Sequence, residues 1–556
     1  MEFKDLSKLQ IRSEVMLMLQ RFNSIDDMSK EQQDKYLNKF RSISNMDYVL
    51  EILVKELARV DQKKAQLISV FLQELGTLDA LRDVLWSYVK SPNSSDELRD
   101  ISSIILKGLG DQTDPEEFLN YLDDPKAVVD KETEKLLEIA SVNPEAQIDF
   151  LDFLFSLPEN EQINLVNSLK EDYSSESMVN VVVPALESKP SPHLEEELVK
   201  IIGETRSAKA VPVLKDVIQY SENDIIKKLA QKSLNMLKLS GVDTEQENDL
   251  PKASPITKIS SIYECHTNIV DGIGNQGIII SRIKPNLDVL MMNVVVNDIH
   301  GIIDCFGFYG ISKEDFRRII EKFQETTTRF IVPPEYCKLK LKKAEKINKE
   351  NGLSIPYEYI AWKSMLDDTS IMEDNWEETA GKFVNKKLIN ETALLYKFPD
   401  FDHWFFEEDD HPLVNVFLNS LIGEINENHR EFARNHKKLL EWLKSKIVLF
   451  ADKVFDDDMK TVYKNRLLDI TYLISYRDLD FFREIAASLA WAISPENKYD
   501  IKTIPFFKEL IKRTIIEALL RYQQTIETNI ENAGQKTGEL SILSVDLEEI
   551  ISILDE

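Results

Sequence analysis

Between residues 175 and 240 the sequence repeats itself. Val182-Val183-Pro184-Ala185-Leu186 returns 28 residues later as Ala210-Val211-Pro212-Val213-Leu214, and at the same offset Leu198 matches Ile226, Ile201 matches Leu229 and Ile202 matches Ala230. Each unit reads as a helix with an early or internal proline, a polar turn and a second amphipathic helix. Such a pair cannot bury its apolar face alone and must stack on its neighbours. No other feature of the chain restricts the fold as strongly.

The same rhythm extends back to the start. Tyr48, Leu50, Ile52, Leu53, Leu57 and then Leu67, Ile68, Phe71, Leu72, Leu75 recur at three- and four-residue steps, which places them on single helical faces. Breaks at Gly76-Thr77, Ser91-Pro92-Asn93 and Gly110-Asp111 separate the periodic runs. Asp114-Pro115-Glu116-Glu117 has the chemistry of a helix start: a capping carboxylate, a first-turn proline and acids at the positive end of the dipole. On the two units at 175–240, with Ser207 to Leu214 as first helix and Ile225 to Leu237 as second, the sequence resembles the HEAT-like repeats. That resemblance implies an α-solenoid acting as a binding scaffold and specifies no partner.

Residues 241–257 lose periodicity and gather Gly, Pro, Ser and acids, so they read as a linker. Beyond them the period changes from 3.6 to 2. Runs at 259–266, Gly277 to Ser281, Val289 to Val296 and Ile302 to Phe306, joined by short turns, predict a four-stranded antiparallel meander. Ser312-Lys313-Glu314-Asp315 then starts a helix expected to reach about residue 324 and to cover one face of the sheet. From Pro333 onward helices resume: 334–349, 357–365, and a series from 375 including 457–474, 479–493 and 505–522. The expected fold is therefore mainly α. An N-terminal HEAT-like α-solenoid (1–240) precedes a small antiparallel sheet unit with a helix (258–330), a C-terminal helical domain (331–525) and a polar tail with a short amphipathic end (526–556). The sheet unit, with Val332 to Tyr336 and Ile355 to Tyr359, also resembles a segment found beside helical repeats in uncharacterised bacterial proteins, a resemblance that implies no activity.

Composition narrows the function classes. The formal charge of −29 opposes general nucleic-acid binding, because a polyphosphate needs a positive surface. With 16 glycines there is little room for glycine-rich phosphate loops, and no P-loop, nucleophile-elbow, zincin or dinucleotide fingerprint occurs. Three cysteines suit a reducing compartment, and neither a leader nor a spanning segment is visible; a cytoplasmic protein away from membranes is expected.

The chemistry-bearing residues gather near the sheet. Cys305 with His300 or His266 would make a nucleophilic pair, and Asp271, Asp298 and Asp304, at or near strand ends, would converge on a divalent cation. The competing reading makes the cysteines small buried hydrophobes and the aspartates turn formers, and it carries more weight. Cys265 and His266, adjacent in a strand, are expected on opposite faces. One basic island runs through Arg317, Arg318, Lys322 and Arg329 to Lys338, Lys340, Lys342, Lys343, Lys346 and Lys349, a candidate surface for an acidic partner or phosphate. Residues 400–411, with His403, His411 and four aromatics, read as a loop anchored to the core, Asp410-His411-Pro412 starting a helix; His429 and His436 stand two turns apart, too far for one ion. The leading expectation is a scaffold or adaptor that binds another protein and needs no cofactor. A metal-dependent or Cys/His enzyme centred on the sheet is the alternative, and nucleic-acid association through residues 317–349 a weaker one.

Overall fold

The computed structural model describes residues 6–140, 142–245, 254–406, 412–432, 434–477, 479–497 and 499–532. The start proposed at Asp410, both histidines of the 429–436 pair, residues 246–253 of the linker and the amphipathic tail end lie outside the described backbone or side chains.

From Lys8 to Leu239 the described chain is a succession of helices, α1 (Lys8–Arg21) to α14 (Asp224–Leu239). Their ends are set by local chemistry. Ser7 and Gln10 form a reciprocal capping box on α1, Asp61 caps α4 (Gln62–Leu75), Ser95 caps α6 (Asp96–Gly108), and Asp114 precedes Pro115 in α7 (Pro115–Leu119) as expected. The two matching units become α11 (Ser175–Glu187) with α12 (Pro192–Glu204), and α13 (Ala210–Tyr220) with α14. Helix α12 packs on α14 and α11 on α13, so the hairpins stack.

Two details show how this stack tolerates its own sequence. Pro184 lies inside α11 and leaves the carbonyl of Asn180 without its helical donor. Gln147 of α9 (Pro144–Ser156) supplies the missing hydrogen bond at 2.5 Å. Gly203 sits where α12 meets α14: a Cβ there would lie 2.6 Å from Ser233, whose hydroxyl donates to the Val199 carbonyl at 2.8 Å.

The helical run does not share one core. Buried side chains from Ile11 to Phe118 form one cluster and those from Leu137 to Leu237 another. Helix α8 (Pro125–Ile139) lies at the break. It buries only Leu137, while Val129, Leu136 and Ile139 remain exposed.

After α15 (Pro255–Ile259) come β1 (Ser261–Thr267), β2 (Asn275–Ile283), β3 (Val289–Asn297) and β4 (Gly301–Ile311), the expected antiparallel meander. A fifth strand, β5 (Phe330–Ile331), pairs with β1 and gives the order β4-β3-β2-β1-β5. Two residues are too few to show a period, which is why this strand is not legible in sequence. Between β4 and β5, α16 (Lys313–Thr326) starts at Ser312, whose hydroxyl accepts from the Asp315 N–H.

The sheet is covered on both sides. Phe316 and Ile320 of α16 pack on Ile279, Val289 and Met291. The opposite face, with Ile278, Ile280, Leu290, Met292 and Val294, meets α17 (Pro334–Glu350) and α18 (Tyr357–Trp362). That second face is continuous with the C-terminal helices: α19 (Trp376–Gly381), α20 (Pro412–Phe432), α21 (His436–Val454), α22 (Asp457–Ile474), α23 (Asp480–Ala492) and α24 (Pro505–Asn532). One cluster of buried residues runs from Ile256 to Leu519, so sheet and C-terminal helices share a core. Among the described residues no helix is long and apolar enough to cross a membrane.

Candidate functional site

The β1–β2 loop and the β3–β4 turn meet at one end of the sheet. There Arg466 of α22 donates to both carboxylate oxygens of Asp298, at 2.6 and 2.8 Å, and to the Gly272 carbonyl at 2.5 Å. Gly274 (φ 98°) leaves the room this requires, since a Cβ would fall 2.0 Å from an Asp298 oxygen. Beside the pair lies a second buried set. Gln276 donates to the Tyr336 hydroxyl at 3.0 Å, Tyr336 donates to Asp469 at 2.8 Å, and Lys340 reaches the other Asp469 oxygen at 3.2 Å. A cleft of about 520 Å³ opens over these groups, lined also by Lys343, Lys346, Asp374 and Trp376.

Asp298, Lys343 and Lys346 thus come together, but as members of ion pairs. Lys343 holds Asp374 at 2.6 Å and lies over the Trp376 ring, and Lys346 faces Glu350 at 3.7 Å. Asp271 accepts from the N–H groups of Ile273 and Asn275, the turn duty the sequence suggested; burial raises its carboxyl pKa against those hydrogen bonds. Asp304 stands exposed within β4, opposite Val295 and away from the other two aspartates. The three carboxylates therefore do not converge, and among the described residues no group of three or more His, Cys, Asp or Glu side chains is placed to hold a metal ion.

The Cys305 pairings also separate in space. Cys305 is buried on the α17 side of β4, and burial pushes its thiol pKa far up, away from the reactive thiolate. His300 is exposed in the preceding turn. His266 stands on the opposite face of the sheet, against Phe316, and on β1, three strand spacings or about 14 Å away. Its ring bonds Glu264 at 2.9 Å, and burial lowers its pKa against the pull of that carboxylate. Cys265 does take the face opposite His266. Its thiol neighbours that of Cys337, a contact between β1 and α17 that 72 residues of sequence separation concealed.

The basic island is divided by the sheet itself. Arg317 and Arg318 lie on α16, and Arg318 is held by Glu314 and Asp315. The lysines lie on α17, across the other face. Lys338 donates to the carbonyls of Leu366 and Thr369, and Lys342 pairs with Glu345 at 3.1 Å. The proposed partner surface through Arg317, Arg318, Lys338, Lys342, Lys343 and Lys346 is thus two separate sets, most of whose charges already have neighbours. Sequence proximity misled here because α16 and α17 run over opposite faces.

Comparison with protein-family models, curated proteins and solved structures finds no match.

A second concavity contains none of the residues that the sequence marks as candidates for chemistry. A groove of about 530 Å³ crosses α4, α5 (Leu78–Lys90), α6 and α8, where the helical run changes cores. Its walls include Leu98, Ile101 and Tyr88, with Ile104 nearly half exposed. Asp100 projects into the same region without an ion pair among the described residues, while neighbouring Glu97 and Glu132 are taken by Lys131 and Lys135. Burial, and then the nearby Glu132, push the Asp100 carboxyl up to about 6. Helix α8 borders this groove through Glu132 and Lys135.

Proposed function

We propose that the protein is a binding scaffold of the HEAT-like kind, and that its helical region holds a protein partner in the groove across α4, α6 and α8. The groove carries this reading. Ile104 stays nearly half exposed near Asp100, which forms no salt bridge among the described residues, where the stacked helices stop sharing a core. An amphipathic helix laid into this groove would cover Ile104 and lie along Leu98 and Ile101. The sheet end supports the same reading from the other side, since Asp298 and Asp271 are committed to holding loops and Cys305 to packing. A cytoplasmic setting fits the reduced cysteines.

The test is affinity purification of the full chain beside an Ile104→Glu variant. A stoichiometric partner that is recovered with the parent and lost with the variant, at unchanged Tm, supports the reading. A partner retained by the variant, or background proteins alone, overturns it.

A further inference from the structure

The helical region and the sheet region meet along a different cleft, formed by the ends of α11 and α13 on one side and α17 with α18 on the other. Its volume is about 400 Å³. The charges around it fall into two groups. On the floor every one is engaged: Lys363 holds Glu187, Lys349 holds Asp216 at 2.8 Å, and buried Glu345 accepts from Tyr359 at 2.6 Å and pairs with Lys342. Burial would raise the Glu345 carboxyl, but Lys342, Lys363 and Tyr359 together hold it below its ordinary range. These pairs tie the two regions of the chain together.

At the mouth the arrangement is different. Lys189, Glu195 and Glu222 line the same cleft and make no ion pair with one another or with any other of the described residues. Lys189 and Glu222 are exposed and Glu195 is half-buried; Lys189 and Glu195 feel each other's field, and partial desolvation lowers the lysine pKa and raises the glutamate pKa. An amine and two carboxylates therefore face a shared space without closing on each other. Between them and the floor the lining is apolar, with Val213, Val217, Ile226 and Ile355. A concave site with an apolar strip between charged groups, placed between two regions of a chain, has the form of a small-molecule site.

We propose that this cleft binds a small zwitterion of amino-acid or dipeptide size. Lys189 holds its carboxylate, Glu195 and Glu222 hold its ammonium group, and its side chains lie on Val213, Val217, Ile226 and Ile355. The ligand places an opposite charge in direct contact with each of these unbridged groups at once, which a simple anion or cation does not. Because the walls belong to different regions of the chain, occupancy also bridges them. The site shares no residue with the α4–α6–α8 groove and stands or falls without it.

Lys189 makes a clean test possible. Its φ of 53° is left-handed, the conformation in which glycine commonly ends a helix, so Lys189→Gly removes the amine while favouring the backbone. The full chain is titrated calorimetrically with the dipeptide Leu-Leu, its C-terminal amide and its N-acetyl form. The parent is expected to bind Leu-Leu about tenfold more tightly than either blocked form. Lys189→Gly should weaken Leu-Leu by a similar factor and leave the amide unaffected. Glu195→Gln/Glu222→Gln should weaken Leu-Leu and leave the acetyl form unaffected. Equal binding of the three ligands, no binding by the parent, or affinities unchanged in both variants would overturn the proposal. The Tm of each variant, expected at or above that of the parent for Lys189→Gly, separates a lost contact from a lost fold.

Discussion

The helical region and the sheet-containing region solve the burial problem differently. From Ile256 to Leu519 one core joins a sheet and the helices that follow; Arg466, Tyr336 and Asp469 find partners inside it, while the indole N–H groups of Trp362 and Trp404 and the Asn293 Oδ1 are buried without one. From Ile11 to Leu237 the helices bury their faces on near neighbours, in two clusters with a break at α8. Local stacking satisfies each hairpin but nothing obliges the stack to close, so apolar and acidic side chains remain at the break. At the sheet end Asp298 and Arg466 are committed to each other, whereas at the break Ile104 and Leu136 keep exposed surface.

The comparison can be broken most directly at Arg466. Replacing it by alanine leaves Asp298 without its partner and the Gly272 carbonyl without its donor, and should cost about 3–5 kcal/mol in chemical denaturation. A loss below about 1 kcal/mol would show that the sheet end does not depend on this pair. Ile105→Ala and Leu198→Ala, one in each helical cluster, should each cost about 2–4 kcal/mol. If the clusters are separate units, each substitution moves its own phase of a denaturation curve. A single transition shifted equally by both would show instead that the helices from Ile11 to Leu237 unfold as a single cooperative array.

Asp100→Asn sharpens the contrast in pH. The folded carboxyl titrates near 6, above the roughly 3.9 expected of an unfolded aspartate, so the folded state binds more protons in that window and stability falls as pH rises through it. The variant should gain on the order of 1 kcal/mol at about pH 8, allowing for solvent screening, and nothing below about pH 4. A gain independent of pH would remove the charge from the explanation. The smallest effect belongs to Arg318→Ala, whose exposed pairs with Glu314 and Asp315 should leave stability within about 0.5 kcal/mol. A larger loss would mean that α16 is held by more than its apolar face on Ile279 and Met291.

Much of the architecture was legible because it follows from local patterns. The 28-residue return marked α11 to α14, the change of period after residue 257 marked the meander, and Ser312 marked the start of α16 within one residue. The sheet-end residues were legible as a group for the same reason, since Asp271 and Asp298 sit in turns that hairpin chemistry dictates. Their uses were not. Arg466 lies 168 residues beyond Asp298 in the chain, and no periodicity links a helix side chain to the loop it will clamp.

What the sequence alone determined is therefore where helices and strands begin and which of their faces are apolar, because capping, proline geometry and side-chain period act over a few residues. Only the tertiary structure decided which charges are neutralised and which are left open. It put Arg318 and Lys342 on opposite faces of one sheet, took Cys305 away from His266, and left Lys189 and Asp100 without a salt bridge among the described residues. Coulomb energy and desolvation depend on distances through space, and those are fixed when separate elements pack together.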